Sequence, residues 1–435
     1  MKPSSSPSDG GLFDGVLAAG PVRVEVSDAA WLRALLDAEA ALARAQARVG
    51  LVEAADADAV VAACARLTVD PGDVGAQATG AGNPVVPLVA RLRAALPPAT
   101  AQAVHRGATS QDIMDSAAML VAHRARVPLL ADLSAAADRA AALAATHRHT
   151  PVAGRTLLQQ ALPTTFGLVA AGWLTGLDAA RRRLAAVPLA GQLGGGAGTL
   201  AAFGDAGLDL LAAYCAELGL VEPVVPWHTE RGRVADLAGA LGATAGALAK
   251  VARDVVLYAQ TEVGEVAEAG PGGGSSTLPH KRNPIRAVSA AACAAQAPGL
   301  VATLLAAMPQ EHQRAAGGWH AEWRPLRALI ESTGSAAHWL RASLDALEVD
   351  AARMRANLDL TGGDLLAERV SAALRPVLGA GAAHEVVRSA SGNLAGDPRI
   401  TAHLSPGELV RLLDPATYLG SAGELIDRAL RAAGR

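Results

Sequence analysis

A long run of residues with helical spacing, from about Glu230 to Ala269, constrains the fold of this 435-residue chain more than any other feature. An apolar or small residue recurs there every three or four positions, and this period predicts one long helix packed against other helices. The recurring residues are Val234, Leu237, Leu241, Thr244, Leu248, Val251, Val255 and Tyr258. A helix of about forty residues would be roughly 60 Å long, because each residue adds about 1.5 Å.

Four other segments show the same period. In Ser27–Val49, Ser27 is placed to cap the helix and Gly50 to end it. The others are 112–149 with Pro128 as a predicted kink, 164–187 and 284–308. Strand signals are nearly absent, because aromatic residues make up only 3% of the chain and most β-branched residues fall inside helical patterns. The predicted fold class is therefore all-α, with a central bundle of very long helices.

Interruptions of the helical pattern near residues 110 and 360 divide the chain. We predict a disordered lead-in at 1–20, an N-terminal helical domain at 21–111, a central long-helix bundle at 112–360 and a C-terminal helical domain at 361–435. The lead-in has one Lys and no apolar run of signal-peptide length. No window has about eighteen uninterrupted apolar residues, so we expect no membrane span.

Composition excludes several classes of partner. Lys and Arg total 38 and Asp and Glu total 41, so the net charge of −3 does not draw the whole surface to nucleic acid or to an anionic membrane. The three cysteines, Cys64, Cys215 and Cys293, lie far apart in apolar contexts, which is typical of buried free thiols in a reducing cytosol. No histidine pair has metal-ligand spacing, and no dinucleotide fingerprint follows a strand. We expect a cytoplasmic protein that needs no metal and no cofactor.

One polar segment, "GPGGGSSTLPHKRNP" at 270–284, interrupts the apolar chain. A flexible linker would contain Gly and Ser alone, whereas this segment continues into Pro, His, Lys, Arg and Asn. A P-loop is excluded because the pattern GxxxxGK[ST] is absent. The remaining interpretation is a mobile loop between two helices, whose backbone N–H groups, hydroxyls and ammonium group suit it to hold carboxylates and cover a substrate.

Three further polar segments each have a purely structural explanation as well. The segment "HRGATSQDIMDS" at 105–116 indicates a helix start with Ser110 or Asp112 as the cap. The segment "GRTLLQQALPTTFG" at 154–167 indicates a loop with a Thr cap, and "EHQRAAGGWHAEW" at 311–323 indicates a helix contact filled by tryptophan. In an antiparallel bundle, however, loops at the same end can meet, which leaves a shared functional site open.

Three of these segments together resemble the three signature regions of the fumarase/aspartase superfamily. The stretches "GATSQD", "GRTLLQQALPTT" and "GGGSSTLPHKRNP" occur in the superfamily's order, with long helices between them. The third is the most specific, since it resembles the pattern GSSxMPxKxNP with Leu278 in place of Met. The resemblance covers roughly residues 20–375. It implies a three-domain all-α protomer and a homotetramer whose active sites combine the three regions from three subunits.

The resemblance also implies roles for individual residues. Ser276 resembles the general base that handles the proton next to a substrate carboxylate, and Lys281 is the second implied catalytic residue. The implied or candidate substrate-binding residues are His105, Thr109 and Ser110 in the first region, Arg155, Thr156 and Gln159 in the second, Ser275 and Asn283 in the third, and Arg314 and His320 in the fourth segment.

One departure from the superfamily pattern narrows the chemistry. Fumarases and adenylosuccinate lyases have a histidine directly after the Gly-Arg-Thr of the second region, where it serves as or supports the general acid. This chain has Leu157 there. Departing hydroxide needs an acid, because water has a pKa of about 15.7. A departing carboxylate, with a conjugate-acid pKa of about 4, does not.

The sequence therefore favours a superfamily member whose leaving group is itself a carboxylate. The bacterial 3-carboxy-cis,cis-muconate cycloisomerases are such members, and "GNPVVPLV", "HRGATSQDIMDSA", "RTLLQQALPTTFG" and "RAAGGWHAEW" resemble that subfamily. The resemblance implies lactonisation of a small tricarboxylate. Adenylosuccinate lyase is the alternative, disfavoured by Leu157 and by Trp319 and Trp323 in the fourth segment. A crystallin-like structural descendant is disfavoured because the residues of the 270–284 loop are intact.

Overall fold

Helices make up most of the computed structural model, which describes residues 11–435. The first part of the chain forms α1 Asp14–Leu17, α2 Val22–Glu25, α3 Asp28–Arg48, α4 Ala54–Arg66, α5 Pro71–Ala81 and α6 Val85–Ala94. The middle forms α7 Ser110–Thr146, α8 Phe166–Ala185, α9 Gly207–Leu218, α10 Gly232–Tyr258, α11 Ile285–Ala294, α12 Ala297–Ala306 and α13 Gly318–Asp345. The last part forms α14 Ala351–Leu358, α15 Ala367–Leu378, α16 Ala380–Ser389, α17 Pro398–Thr401, α18 Pro406–Leu412 and α19 Ala422–Ala432.

Short 3₁₀ turns and two small sheets complete the described chain. The turns are Thr100–Ala103, Ala201–Ala206, Asp364–Leu366 and Pro415–Thr417. Strands β1 Pro151–Thr156 and β2 Gln159–Thr165 form an antiparallel hairpin, and β3 Val266–Glu268 pairs antiparallel with β4 Leu347–Val349. The predicted all-α class is confirmed, with these two pairs of strands as minor additions.

Helix α3 lies where the sequence predicts it. The Ser27 hydroxyl accepts a hydrogen bond from the Ala30 N–H at 3.2 Å, and Gly50 follows the helix with φ of +75°. The helix buries an apolar face, but Glu39 and Gln46 are buried with it. Two polar side chains in an apolar face need partners, because a buried polar group without a hydrogen bond is costly.

Two predicted helices are shorter than expected. The helix predicted to reach Ala269 ends at Tyr258, giving 27 residues and a length of roughly 40 Å. The chain then turns through Gly264, with φ of +62°, so that 266–268 can pair with 347–349. The segment 284–308 forms two helices rather than one, because Pro298 in the first turn of α12 has no N–H to continue the ladder.

The β1–β2 hairpin replaces the loop predicted in the segment 154–167. The strands pair from Pro151 opposite Thr165 to Thr156 opposite Gln159, with an irregularity after Ala153. Only Leu157 and Leu158 remain for the turn. The second signature region is therefore a rigid two-stranded projection rather than a flexible loop.

The described chain divides into two compact units, each formed from three separate segments. The first unit contains the chain up to Ala131, Ala180–Gly246 and Ala292–His338. The second contains Asp132–Ala179, Ala247–Ala291 and Trp339–Arg435. The boundaries predicted at 111 and 360 stay a prediction. Of the predicted lead-in, residues 1–10 lie outside the described residues, and 11–20 contain α1.

Two stretches are long and apolar enough to cross a membrane by length and composition alone: Gly232–Tyr258 and Ile285–Ala306. Half of the residues in the most apolar window of the first are buried, and a third of those in the second. The core helices of a soluble protein meet the same criterion, because a helix that is apolar all round is suited to burial between other helices.

Candidate functional site

In the first unit, Asp112 joins the first signature region to a glycine-rich turn. Its carboxylate accepts hydrogen bonds from the backbone N–H groups of Thr109, Gly194 and Gly195 at 3.0, 2.9 and 3.0 Å. Its Oδ1 lies 2.6 Å from His228 Nε2, and both side chains are buried. Asp112 is therefore a buried anchor that fixes Thr109. Glycine is required at both positions of the turn, because a Cβ on Gly194 would lie 2.7 Å from the His228 ring and Gly195 has φ of +70°.

His105 is paired with a buried carboxylate. Its Nδ1 lies 2.6 Å from Glu39 Oε1. Burial opposes protonation of the ring, but the charge and hydrogen bond of Glu39, with Asp112 adding to them, outweigh burial and the repulsion of Arg93, and raise the pKa of His105. His105 has φ of +57°, a conformation that non-glycine residues seldom adopt outside constrained sites.

The other candidate site residues of the first unit lie near these groups or at the edge of the tryptophan cluster, which Trp319 and Trp323 form. Ser110 is the first residue of α7 and is half-buried. The Arg314 guanidinium donates to the Gly195 carbonyl oxygen at 2.6 Å, and burial lowers its pKa. His320 Nε2 lies 3.0 Å from the Gly82 carbonyl oxygen. The structure thus brings Arg314 and Thr109 to the same turn, at Gly195, and places His320 against a different segment.

Behind the tryptophan cluster lies a buried ionic network. Arg231 donates to Asp115 at 2.8 Å and to Glu322 at 2.6 Å, and the Trp319 indole N–H donates to Asp115 at 3.1 Å. Burial opposes the charge on Arg231, but Asp115 and Glu322 outweigh it and raise the pKa of the guanidinium. Trp319 and Trp323 stand edge to face at 4.9 Å. Through Trp319 and Glu322, this network fixes the fourth segment in place.

In the second unit, the glycine-rich loop is closed on itself. The Asn283 side chain and backbone N–H both donate to the Gly273 carbonyl oxygen, at 2.9 and 2.8 Å. The Ser275 hydroxyl accepts from two N–H groups at the loop tip, at 3.3 and 3.1 Å. Ser276 and Lys281 are exposed, and their side chains contact no hydrogen-bond partner or counter-ion within residues 11–435. We call the Gly273–Asn283 contact the loop clasp.

Both ends of this loop are fixed within the second unit. The Glu268 side chain is 4% exposed. It accepts hydrogen bonds from the N–H groups of Arg286 and Ala287, at 3.0 and 2.9 Å, and so caps the start of α11. It also accepts from the Ser343 hydroxyl at 2.6 Å. The Arg286 guanidinium donates to the Ala269 carbonyl oxygen at 3.0 Å. The loop therefore leaves and rejoins the protein at defined points, because a carboxylate satisfies the otherwise unpaired N–H groups of the helix.

Arg155, in the second signature region, is engaged by a buried carboxylate. Its guanidinium makes a two-point ion pair with Glu265 at 2.8 and 2.7 Å, and Glu265 also accepts from Asn357 at 2.7 Å. Burial of Arg155 opposes its charge, but Glu265 outweighs it and raises the pKa of the guanidinium. Tyr258 lies under the guanidinium at 5.5 Å, and burial raises its pKa to about 12. Any anionic ligand of Arg155 would therefore have to compete with Glu265.

The tip of the hairpin is exposed. Thr156 and Gln159 end their strands with exposed side chains, and Leu157 and Leu158 between them are 97% and 69% exposed. Both leucines have positive φ, +52° and +65°. A cavity of about 480 Å³ opens beside Arg155 and is lined in part by Leu158, Lys250, Asp254 and Tyr258.

The four segments are thus shared between the units: the first and fourth lie in the first unit, and the second and third in the second. Sequence reasoning missed His228, Glu39 and Glu265. A signal for the first existed in "PWHTER", where the histidine directly follows a tryptophan. Nowhere in residues 11–435 do three His, Cys, Asp or Glu side chains cluster as metal ligands would.

Comparison with known proteins gives consistent results. A family model described as "Lyase" matches residues 18–299. Nitrosuccinate lyase of Streptomyces davaonensis is 47% identical over 448 aligned positions, covering 97% of this chain and 94% of that protein. The 3-carboxy-cis,cis-muconate cycloisomerase of Pseudomonas aeruginosa is 47% identical, covering 96% and 95%. The crystal structure of 3-carboxy-cis,cis-muconate lactonizing enzyme from Pseudomonas putida superposes with a TM-score of 0.91 at 42% identity, covering 98% and 99%.

Proposed function

Because the chain belongs to the lyase family whose model spans residues 18–299, we propose that it is a cycloisomerase that converts 3-carboxy-cis,cis-muconate to 4-carboxymuconolactone. The observation that carries this proposal is the near-complete likeness to the Pseudomonas putida lactonizing enzyme, with a TM-score of 0.91 over 98% of the chain. The chemistry of the second region agrees with it. Leu157 supplies no acid, and a carboxylate leaving group needs none.

The reaction forms one C–O bond and one C–H bond. A substrate carboxylate oxygen adds to the double bond conjugated with another carboxylate, and the electron pair of that double bond moves into this second carboxylate to give a dianionic aci-carboxylate. The Ser276 hydroxyl then delivers its proton to carbon, and in reverse the Ser276 alkoxide removes it. Lys281 and the loop N–H groups stabilise the aci-carboxylate, and the ammonium lowers the pKa of the serine hydroxyl.

The loop geometry supports these roles for Ser276 and Lys281. Both side chains are exposed on one clasped loop, without competing partners in the described chain. Asn283 and Ser275 use hydrogen bonds to shape this loop, so we propose that they position Ser276 as well as contacting substrate. Thr109, Ser110, His105, Arg314 and His320 supply the polar groups of the first unit, and Thr156, Gln159 and Arg155 those of the hairpin.

We also propose that the protein is a homotetramer in the cytoplasm, with each active site built from three subunits. Support comes from the exposed apolar side chains of Ile285–Ala306, of which Ile285, Val288 and Leu305 are 43, 42 and 47% exposed. An apolar face of this kind is a typical subunit contact. The exposed hairpin tip and the exposed loop are the parts that would reach neighbouring copies.

A second candidate function is elimination of nitrite from nitrosuccinate. The chain is 47% identical to nitrosuccinate lyase over 97% of its length, and it is equally identical to the Pseudomonas aeruginosa cycloisomerase. Sequence identity therefore favours both functions equally. Leu157 does not separate the two candidate reactions. Nitrite, like a carboxylate, is the conjugate base of an acid much stronger than water, so it departs without protonation. The same Ser276 alkoxide would remove the proton next to a carboxylate.

Parallel assays with three substrates test the proposal. Purified protein is supplied with 3-carboxy-cis,cis-muconate, nitrosuccinate or adenylosuccinate, and the loss of each substrate is followed by absorbance. We expect rapid turnover of the muconate only. Turnover of nitrosuccinate with none of the muconate would replace the first proposal by the second, and turnover of adenylosuccinate alone would reject both.

Replacing Ser276 by alanine tests the proton carrier. We expect Ser276→Ala to reduce kcat by at least a hundredfold while the oligomer and the melting temperature are unchanged, because proton transfer by a positioned group typically contributes 10²–10⁴-fold. Thr277→Ala, which removes the adjacent exposed hydroxyl, serves as the matched control. A Ser276→Ala variant that kept more than about a tenth of wild-type kcat would assign the proton to another group.

A further inference from the structure

Helix α3 presents two buried polar side chains to the segment that carries His105. Glu39 and Gln46 lie seven residues apart, two turns along the helix, and therefore on the same face. Glu39 Oε1 contacts His105 Nδ1 at 2.6 Å, and the Gln46 side chain donates to the Arg106 carbonyl oxygen at 2.7 Å. The two polar interruptions of an apolar face thus converge on the first signature region.

The backbone around His105 is fixed from several sides. The Arg93 guanidinium donates to the Val104 carbonyl oxygen at 2.9 Å, and the Gln46 side chain donates to the Arg106 carbonyl oxygen. Gly107 has φ of +73°, and a Cβ there would lie 2.4 Å from the Phe203 ring. His105 keeps its left-handed φ of +57° because these contacts over-determine it. Strain of this kind persists mainly where it sets the direction of a functional side chain.

The ion-pair partner of the Glu39 carboxylate in the described chain is the His105 ring. The carboxylate is 1% exposed, and its Oε2 has no hydrogen-bond partner in the described chain. A buried carboxylate without a counter-charge is strongly disfavoured. The groups that face His105 are Glu39 from α3, Asp112 from α7 and the opposing Arg93 from α6, and their balance raises the pKa of His105. An acceptor on Nδ1 leaves Nε2–H as the free donor.

We propose that Glu39 is a positioning residue that holds the His105 ring through Nδ1–H as a cationic ligand for a carboxylate group of the substrate. The proposal rests on the proposed function, since a tricarboxylate substrate supplies the carboxylate group that a cationic His105 would bind. It deepens that function by giving His105 the role of binding charge and leaving proton transfer to Ser276. Glu39 acts through His105 and contacts no substrate itself.

The pH dependence of substrate binding follows with a definite sign. The pKa of His105 is raised, so the cation is present below it and lost as pH rises through it; kcat/KM for an anionic substrate falls over the same range. Glu39→Gln keeps the shape and an acceptor for Nδ1–H but removes the charge. We expect this descending limb to move to lower pH, because the carboxylate charge that raises the pKa of His105 is gone, and kcat/KM above it to fall. The loss should appear in KM more than in kcat.

Three further single variants and one double variant separate a positioning role from an effect on folding. Asp37→Asn removes a carboxylate from the same helix that pairs with Arg33 and Arg124 rather than with His105, and it should leave the limb in place. Glu39→Asp keeps the charge and should restore the limb toward the wild-type pH. His105→Gln should abolish the limb, and Glu39→Gln combined with it should add no further loss. Independent, additive losses would overturn the proposal.

A direct titration keeps the test independent of turnover. The ring of His105 is followed by ¹³C NMR against pH in the full-length protein labelled at histidine, with His105→Gln assigning its signal. We expect Glu39→Gln to move its titration midpoint to lower pH, because the Glu39 charge that raises it is removed. An unchanged midpoint overturns the proposal even if the enzyme is active. A shifted midpoint supports the pairing even if the muconate assay fails, so the two failures are distinguishable.

Discussion

At the scale of single residues, the turn of the β1–β2 hairpin has a backbone that leucine rarely adopts. Leu157 and Leu158 have φ of +52° and +65°. Each left-handed residue with a side chain costs about 1–2 kcal/mol, and two-residue turns with both φ positive usually contain Asn-Gly. The side chains are exposed, so packing within the described chain does not offset this cost.

Replacing the pair with the residues that such a turn favours should stabilise the protein. We expect Leu157→Asn with Leu158→Gly to raise the free energy of unfolding by about 1 kcal/mol, because the relief of strain exceeds the extra entropy of glycine in the unfolded chain. Urea denaturation measures the change, and Leu162→Asn, an exposed leucine on β2, is the control. A loss of stability would instead show that the leucines are held by contacts in the assembled protein.

The candidate site was predictable where it follows a local motif and unpredictable where it depends on a distant partner. Ser276, Lys281 and Asn283 lie within eight residues of one another and are recognisable as a group. Glu39 and Glu265 are not, because their partners His105 and Arg155 are 66 and 110 positions away. Spacing along the chain does not show which buried carboxylate a distant cation will meet.

At the scale of elements, Glu268 links three pieces of the second unit. It caps α11 through two N–H groups, accepts from Ser343 on α13, and lies at the end of β3 just before the glycine-rich loop. Hydrogen bonds to a charged group contribute about 1.5–3 kcal/mol each when removal leaves the donor buried and unpaired. This one carboxylate therefore sets the point where the loop rejoins the helix.

Removing this cap should loosen the loop as well as the fold. We expect Glu268→Ala to lower the free energy of unfolding by about 2–4 kcal/mol. It should also reduce kcat/KM, because the loop that carries Ser276 and Lys281 would no longer be anchored where it joins α11. Glu348→Ala on β4, an exposed glutamate of the neighbouring strand, is the matched control for thermal unfolding and turnover. Equal effects of the two substitutions would show that the cap is unimportant.

Helical period predicted the elements well except where long-range pairing intervened. Helices α3 and α8 lie within a few residues of their predicted positions because their apolar stripes pack over their whole lengths. The period continued past Tyr258, but pairing with 347–349 took that segment into a strand. A partner some eighty residues further along leaves no trace in a local pattern.

At the scale of the whole molecule, the stretch Ile285–Ala306 is the subunit contact that we propose. Only a third of its most apolar window is buried, although that window is apolar enough to cross a membrane. A lysine in this face should prevent tight packing between copies, because burying an ammonium against apolar groups is costly. The position of choice is Val288, on α11.

We expect Val288→Lys to convert the proposed tetramer into smaller species and to abolish turnover, because each active site would lack residues from neighbouring subunits. Size-exclusion chromatography with light scattering measures the mass. Val410→Lys on α18, where an exposed valine is also replaced, should leave mass and activity unchanged. A Val288→Lys protein with the mass of four chains would place the subunit contact elsewhere.

The stretch Ile285–Ala306, of which only a third of the most apolar window is buried, also matters while the protein is being synthesised and assembled. If this stretch is the proposed subunit contact, a newly synthesised chain exposes it until it associates with other copies, and exposed apolar surface at that stage favours aggregation. The yield of soluble protein should therefore depend on the rate of synthesis relative to the rate of encounter. We expect slow expression in a cell with ample chaperone capacity to give the highest soluble yield.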